Sequence, residues 1–257
     1  MINPKKKITF TFCLFFTWLL AAQEPASTEL RVLYIGDSIT DGNWGGGGAT
    51  PSGERNHWDQ NHLFGSGYMY LCAAHYMGYY PDCNYRFYNR GISGHTLAHL
   101  IARWEEDVIA LKPDVLSILV GVNDVEYFIN DPQGEFDLQV WEQSYRELLD
   151  RTLAQIPSVK LVIGSPFAAG IVRRESQEDA IRYDSLIRSL AQITEKIASD
   201  YQAEYLNYYG LFTDSLAVKF PTVPVIHWLW DGVHPTAAAH RHMADLWIKQ
   251  MDRWMLP

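Results

Sequence analysis

Cysteine is nearly missing from this chain, with 3 among 257 residues, and none of the three stands at a zinc-ligand spacing. Cys13 falls in an N-terminal apolar run. That leaves Cys72 and Cys83, either bridged in an oxidising compartment or, for Cys72 on its apolar helical face, buried as a small hydrophobe. Basic charge is also short: 21 Lys and Arg stand against 30 Asp and Glu, a formal charge of −9. No lysine- or arginine-rich run interrupts that balance, and an acidic surface repels phosphate backbones, which argues against a nucleic-acid partner. The run Gly45 to Gly48 lacks the Lys-Ser/Thr of a phosphate loop. Internal repeats and low-complexity linkers are absent too. Long apolar runs are limited to Ile8 through Leu20, too short to span a bilayer comfortably. Lys5, Lys6 and Lys7 precede this run, and Ala21-Ala22 follow it, which is the layout of a secretory signal peptide. The expectation is a signal over residues 1–22 and a secreted or periplasmic mature chain. No stable membrane insertion is expected after cleavage, and the mature charge would be about −12.

What remains is enough for one domain, read here over residues 28–257, with a substantial core. Aromatic residues are plentiful, 9 Trp, 15 Tyr and 11 Phe, so some rings are left to face a ligand. Apolar runs predict strands at Leu30–Ile35, Asn84–Tyr88, Val115–Val120, Lys160–Ile163 and Ala203–Leu206. Helical patterns fall between and after them, at Tyr68–Tyr79, His95–Leu111, Leu138–Ile156, Asp179–Tyr201 and Ala237–Met251. Alternating strands and helices predict an α/β fold, doubly wound and flavodoxin-like. It is a three-layer sandwich with about five parallel strands. A Gly-rich insertion, Gly42–Gly67, carries Trp44, His57, Trp58 and His62 and has no regular pattern, which is uncommon unless a loop is functional.

Ligands of such sheets bind beyond the carboxyl ends of the strands. Four turns converge there: Gly36-Asp37-Ser38-Ile39-Thr40, Asn89-Arg90-Gly91-Ile92-Ser93-Gly94, Gly121-Val122-Asn123-Asp124 and Asp231-Gly232-Val233-His234-Pro235. Each alone reads as a cap or a tight turn. Together they supply acyl transfer. Ser38 is a hydroxyl nucleophile, His234 a base that removes its proton, and Asp231 the group that holds the imidazole. The N–H groups of Ser38 and Gly91 and the amide of Asn123 are candidate donors to an oxyanion. That chemistry needs no metal and no cofactor. His95 and His99, at i and i+4, have a metal-ligand spacing without a third ligand. Asp37 and Asp124 read as loop braces. Trp228 and Trp230 either stack on a sugar ring or pack beneath the loop.

In order and spacing these segments resemble the SGNH (GDSL) hydrolase family, from Gly36 to Pro235. The resemblance implies Ser38 as nucleophile, His234 as base, Asp231 behind it, and Ser38, Gly91 and Asn123 in the oxyanion hole. With the Arg103-Trp104 helix it is similar to exported bacterial carbohydrate O-acetylesterases. The implied reaction is removal of O-acetyl groups from a small-molecule or polysaccharide ester through an acyl-enzyme. Trp44, Trp58, Trp228 and Trp230 are the candidate substrate contacts. A lysophospholipase- or thioesterase-like acylhydrolase and a non-catalytic glycan-binding protein stand as alternatives.

Overall fold

The computed structural model describes residues 29–42, 64–131 and 134–256. The signal-peptide segment, Trp44 and Trp58 lie outside the described residues. Five strands form where short apolar runs stand: β1 (Leu30–Gly36), β2 (Tyr85–Gly91), β3 (Val115–Leu119), β4 (Lys160–Gly164) and β5 (Glu204–Leu206). All pair in parallel, in the order β2-β1-β3-β4-β5, which is the flavodoxin-like order. Every β3 residue is buried, as a central parallel strand covered on both faces requires.

The helices in chain order are α1 (Ser38–Asp41), α2 (Tyr68–Tyr79), α3 (Leu97–Trp104), α4 (Val122–Asn130) and α5 (Leu138–Gln155). They continue as α6 (Gly170–Arg173), α7 (Gln177–Asp200), α8 (Tyr208–Gly210), α9 (Leu216–Lys219) and α10 (Ala237–Met255). Side-chain oxygens of Thr96, Asp137, Ser176 and Thr236 cap α3, α5, α7 and α10, satisfying N–H groups that have no partner inside the helix. Helices α2 and α10 pack together on one side of the sheet, and α3, α5 and α7 on the other. Alternation along a strand sends neighbouring side chains to opposite layers. Tyr34 of β1 lies 5.1 Å from the Trp247 ring of α10, and the Trp247 indole donates to Ser117 Oγ of β3 at 3.1 Å. In the other layer the Trp104 indole of α3 donates to Thr152 Oγ1 of α5 at 2.9 Å.

Two elements depart from the expected bounds for one reason. Strand β2 runs on through Asn89, Arg90 and Gly91, which read as a turn because they are polar. The helix expected over residues 95–111 breaks into α3 and a π-helical turn, Glu105–Ile109. Arg90 is buried, and its Nε lies 3.1 Å from Oδ1 of buried Asp107 on that turn. Arg103 reaches the other Asp107 oxygen at 2.5 Å. The polar residues are thus interior, partnered with one another. Helix α4 has no helical period in its sequence, because only Val122 and Val125 on it turn fully inward. Cys72 is buried, Cys83 is partly buried, and both are free thiols. Among the described residues no helix is long and apolar enough to cross a membrane.

Removing the carboxylate in Asp107→Ala leaves the buried Arg90 guanidinium without its counter-charge. The expected loss is about 3–5 kcal/mol of unfolding free energy, measured by urea denaturation. A loss under about 1 kcal/mol, the scale of an exposed pair, would contradict this account.

Candidate active site

Strand β1 ends at Gly36, Asp37 caps α1, and Ser38 is the first residue of that short helix. The Asp37 carboxylate accepts the Ile39 N–H at 2.9 Å. From β2 the Asn89 amide donates to the carbonyls of Thr40 (3.1 Å), Asp41 (3.3 Å) and Phe64 (3.0 Å). The serine turn is therefore strapped to the neighbouring strand. Gly42 O accepts both the N–H and the hydroxyl of Ser66, each at 2.8 Å. The chain thus leaves for residues 43–63 and returns from them at one point, beside Ser38.

The histidine arrives from the far end of the chain. Pro235 and the Thr236 cap start α10, and the preceding turn folds onto Asp231. Asp231 Oδ1 accepts the N–H groups of Val233 (3.0 Å) and His234 (2.8 Å). Its Oδ2 meets His234 Nδ1 at 2.7 Å, and His234 Nε2 meets Ser38 Oγ at 2.9 Å. With Nδ1–H donating to the carboxylate, Nε2 is left as acceptor for the serine proton. Burial alone would raise the Asp231 carboxyl. The His234 N–H, the imidazole and the Val233 N–H outweigh it and hold Asp231 below its usual 3.8.

One expected oxyanion donor is corrected by the structure. The Gly91 N–H donates to Asn89 Oδ1 at 2.9 Å, so it is already engaged. Gly91 is glycine for a different reason: a Cβ there would lie 2.2 Å from the Asp41 nitrogen. Three residues on, Gly94 adopts φ +80°, and its N–H has no partner among the described residues. Its carbonyl accepts from the Tyr127 hydroxyl at 3.0 Å, and the next carbonyl, of His95, from the Asn123 amide at 3.1 Å. Both donors come from α4, so Gly94 and Asn123 are fixed relative to each other. The motif Gly-x-x-Gly in this turn was the available signal. Sequence alone does not say which of the two glycines keeps its N–H.

The aromatic candidates separate. Trp228 is buried, at 7% exposure, packed on Phe220, His227 and His242, so the sugar-contact reading is corrected for it. Trp230 is 58% exposed and stacks on the His234 ring at 5.9 Å. A cavity of about 470 Å³ joins Ser38 and His234 to Ser66, Ser93, Trp230 and His240. No turn motif marks His240, which lies within α10. It accepts the Tyr68 N–H on Nδ1 at 3.1 Å, and burial, with His234 nearby, pushes it down to about 4. His95 and His99 stack at 4.7 Å, with His95 Nδ1 accepting from Arg103 and His99 Nδ1 beside the Thr96 hydroxyl. Asp124 accepts the Leu97 N–H and the Trp141 indole, a brace as expected.

The sheet and this site define a class: the hydrolytic enzymes that carry a serine at the carboxyl edge of a parallel α/β sheet. Comparison with known proteins narrows it. Residues 34–242 match the model of the GDSL-like lipase/acylhydrolase family. An acetylxylan esterase of Geobacillus stearothermophilus is 32% identical over 226 residues, 86% of this chain and 93% of that protein. A crystal structure of an acetylxylan esterase from the same organism superposes with a TM-score of 0.68 at 30% identity, covering 88% of this chain and 95% of the other. A Parabacteroides merdae protein described as a GDSL-like lipase gives 0.76 at 26% identity, with 89% and 98% covered. The chain belongs to the GDSL-like lipase/acylhydrolase family and is a carboxylic ester hydrolase.

A buried carboxyl next to Ser38 gives a pH signature. Burial pushes Asp37 from 3.8 up to about 7, with Asp124 and Asp41 adding to the rise and the Ile39 N–H opposing it. The fold therefore holds a proton that the unfolded chain releases. Its contribution is full below pH 3.8 and is lost as pH rises through about 7. Asp37→Asn keeps the cap to Ile39 and removes the titration. Unfolding free energy of the variant should fall less steeply than the parent's between about pH 4 and 7. Parallel stability curves would rule this out.

Proposed function

We propose that this chain removes O-acetyl groups from carbohydrates through an acyl-enzyme on Ser38. The observation that carries the reading is the unbroken path Asp231–His234–Ser38, with contacts of 2.7 and 2.9 Å. In this mechanism Nε2 takes the hydroxyl proton as Ser38 Oγ attacks the ester carbonyl. Negative charge then develops on the carbonyl oxygen. The N–H groups of Ser38 and Gly94 and the Asn123 amide are its donors, Gly94 replacing Gly91. The imidazolium returns its proton to the departing alcohol oxygen, and a water activated in the same way releases acetate. No step calls on a metal.

Three features support a small acyl group on a sugar. The cavity around Ser38 mixes the hydroxyls of Ser66 and Ser93 with the apolar faces of Ile39, Pro235, Ala237 and Trp230, a lining that suits the hydroxyls and ring faces of an acetylated sugar. The exposed Trp230 ring offers a flat apolar face at the mouth, the usual partner of a sugar ring. The relative at 32% identity is an acetylxylan esterase. Cleavage of residues 1–22 on export belongs to the same proposal, and mass spectrometry of the mature N-terminus tests it.

The direct test is acetate release from acetylated xylo-oligosaccharides. Ser38→Ala should lower kcat by at least about four orders of magnitude, and Asn123→Ala by about 10²–10³. Release unaffected by Ser38→Ala would refute the mechanism. Rates on nitrophenyl esters should fall beyond butyrate; a preference for longer chains would transfer the protein to lipid or thioester substrates.

A further inference from the structure

Asp231 does not serve His234 alone. The Oδ2 atom that meets the imidazole also faces Arg173 Nη1 at 3.4 Å. Arg173 closes α6, 58 residues earlier in the chain. Its Nε and Nη2 hold the two Glu126 oxygens at 3.3 and 3.1 Å, and Arg174 takes Glu126 Oε2 at 2.8 Å. Glu126 lies on α4, one turn beyond Asn123. A run of charged contacts therefore leads from the helix that carries the oxyanion amide to the carboxylate behind the base. The path runs Glu126, Arg173, Asp231, His234, Ser38.

We propose that Arg173 is a positioning residue that ties Asp231 to α4 and sets the net charge His234 meets across that carboxylate. The proposal rests on the esterase reading above. Two effects follow from the geometry. Anchoring Asp231 from its far side fixes the imidazole against Ser38, where small displacements cost rate. A cation on that side also offsets part of the carboxylate's attraction for the imidazolium formed during attack. Glu126 in turn offsets the cation, so the pair tunes the field rather than cancelling it.

Other groups face this cluster. Arg174 lies 4.5 Å over the Tyr183 ring of α7, and Asp184 of α7 holds the Gly170 N–H at the start of α6 at 2.7 Å. The Tyr183 phenol is pushed up by burial and by Glu126, so it stays neutral. On the other side of His234 stand the Trp230 ring and neutral His240, the latter on α10. The charge balance at Asp231 therefore lies between Arg173, Arg174 and Glu126. Arg173 is 31% exposed, so salt screens it in part.

The experiment is kcat/KM against pH for nitrophenyl acetate in Arg173→Gln, Glu126→Gln and Arg173→Lys. Losing the cation favours the imidazolium, so the acid limb of Arg173→Gln should move to higher pH by a few tenths of a unit. Its plateau kcat should drop about tenfold with KM little changed. Glu126→Gln leaves the cation less compensated and should move the limb the opposite way. Arg173→Lys should restore the limb, but only part of the plateau, because an ammonium lacks the fork that holds both Glu126 oxygens. General loosening of the fold would not give opposite shifts. Limbs that coincide with the parent's, or that move in one direction in both Gln variants, would overturn the proposal. NMR titration of the His234 imidazole in a Ser38→Ala background reads the same opposite shifts without turnover. A parent that hydrolyses no ester would sink the esterase reading, while that titration would still decide the role of Arg173.

Discussion

The Ser38–His234 hydrogen bond joins residues 196 positions apart, and most of the architecture serves to make it possible. One partner sits at the end of β1 and the other at the start of α10. Their meeting therefore depends on α10 lying across the sheet in one register. The Trp247 indole on Ser117, its ring against Tyr34, and the Tyr76 hydroxyl of α2 on Asp252 at 2.8 Å fix that register. The Trp247 contacts are buried, and the two hydrogen bonds are directional. A slide of α10 by one turn would move His234 about 5 Å, beyond hydrogen-bond reach.

The carboxylates at this edge differ in charge because their surroundings differ. Asp37 and Asp124 are so deeply buried that desolvation outweighs the hydrogen bonds they accept, and they rise to about 7 and about 6. Asp231 is less buried, accepts two backbone N–H groups and the imidazole, and stays below its usual range. Environment, not residue type, separates the braces from the partner of the base.

Much of this was legible in the chain. Strand runs such as Val32-Leu33-Tyr34-Ile35 are apolar on both faces, which only a covered parallel sheet accommodates. Their alternation with helices gave the doubly wound order. The turns that carry Ser38, Asn123, Asp231 and His234 stood at strand or helix ends, where such folds bind ligands. Less legible were the polar interior segments. Asn89 and Arg90 look like a turn until Asp107 and the carbonyls of α1 are seen to satisfy them. Trp228 and Trp230 are two residues apart and indistinguishable in sequence, yet one is packed and the other exposed.

The sequence by itself determined the five strands and most of the long helices, because apolar periodicity acts within short windows, and its turn motifs carried the resemblance to the family. It left undecided every choice that depends on a distant partner. Whether Gly91 or Gly94 keeps its N–H turns on the Asn89 side chain folding back to accept one of them. Whether an arginine late in the chain touches the site turns on α6 meeting the α10 approach through Ala169 N–H and Gly232 O, at 2.7 Å. Hydrogen bonds and charge pairs of that kind are short-ranged, so only the closed tertiary structure assigns them.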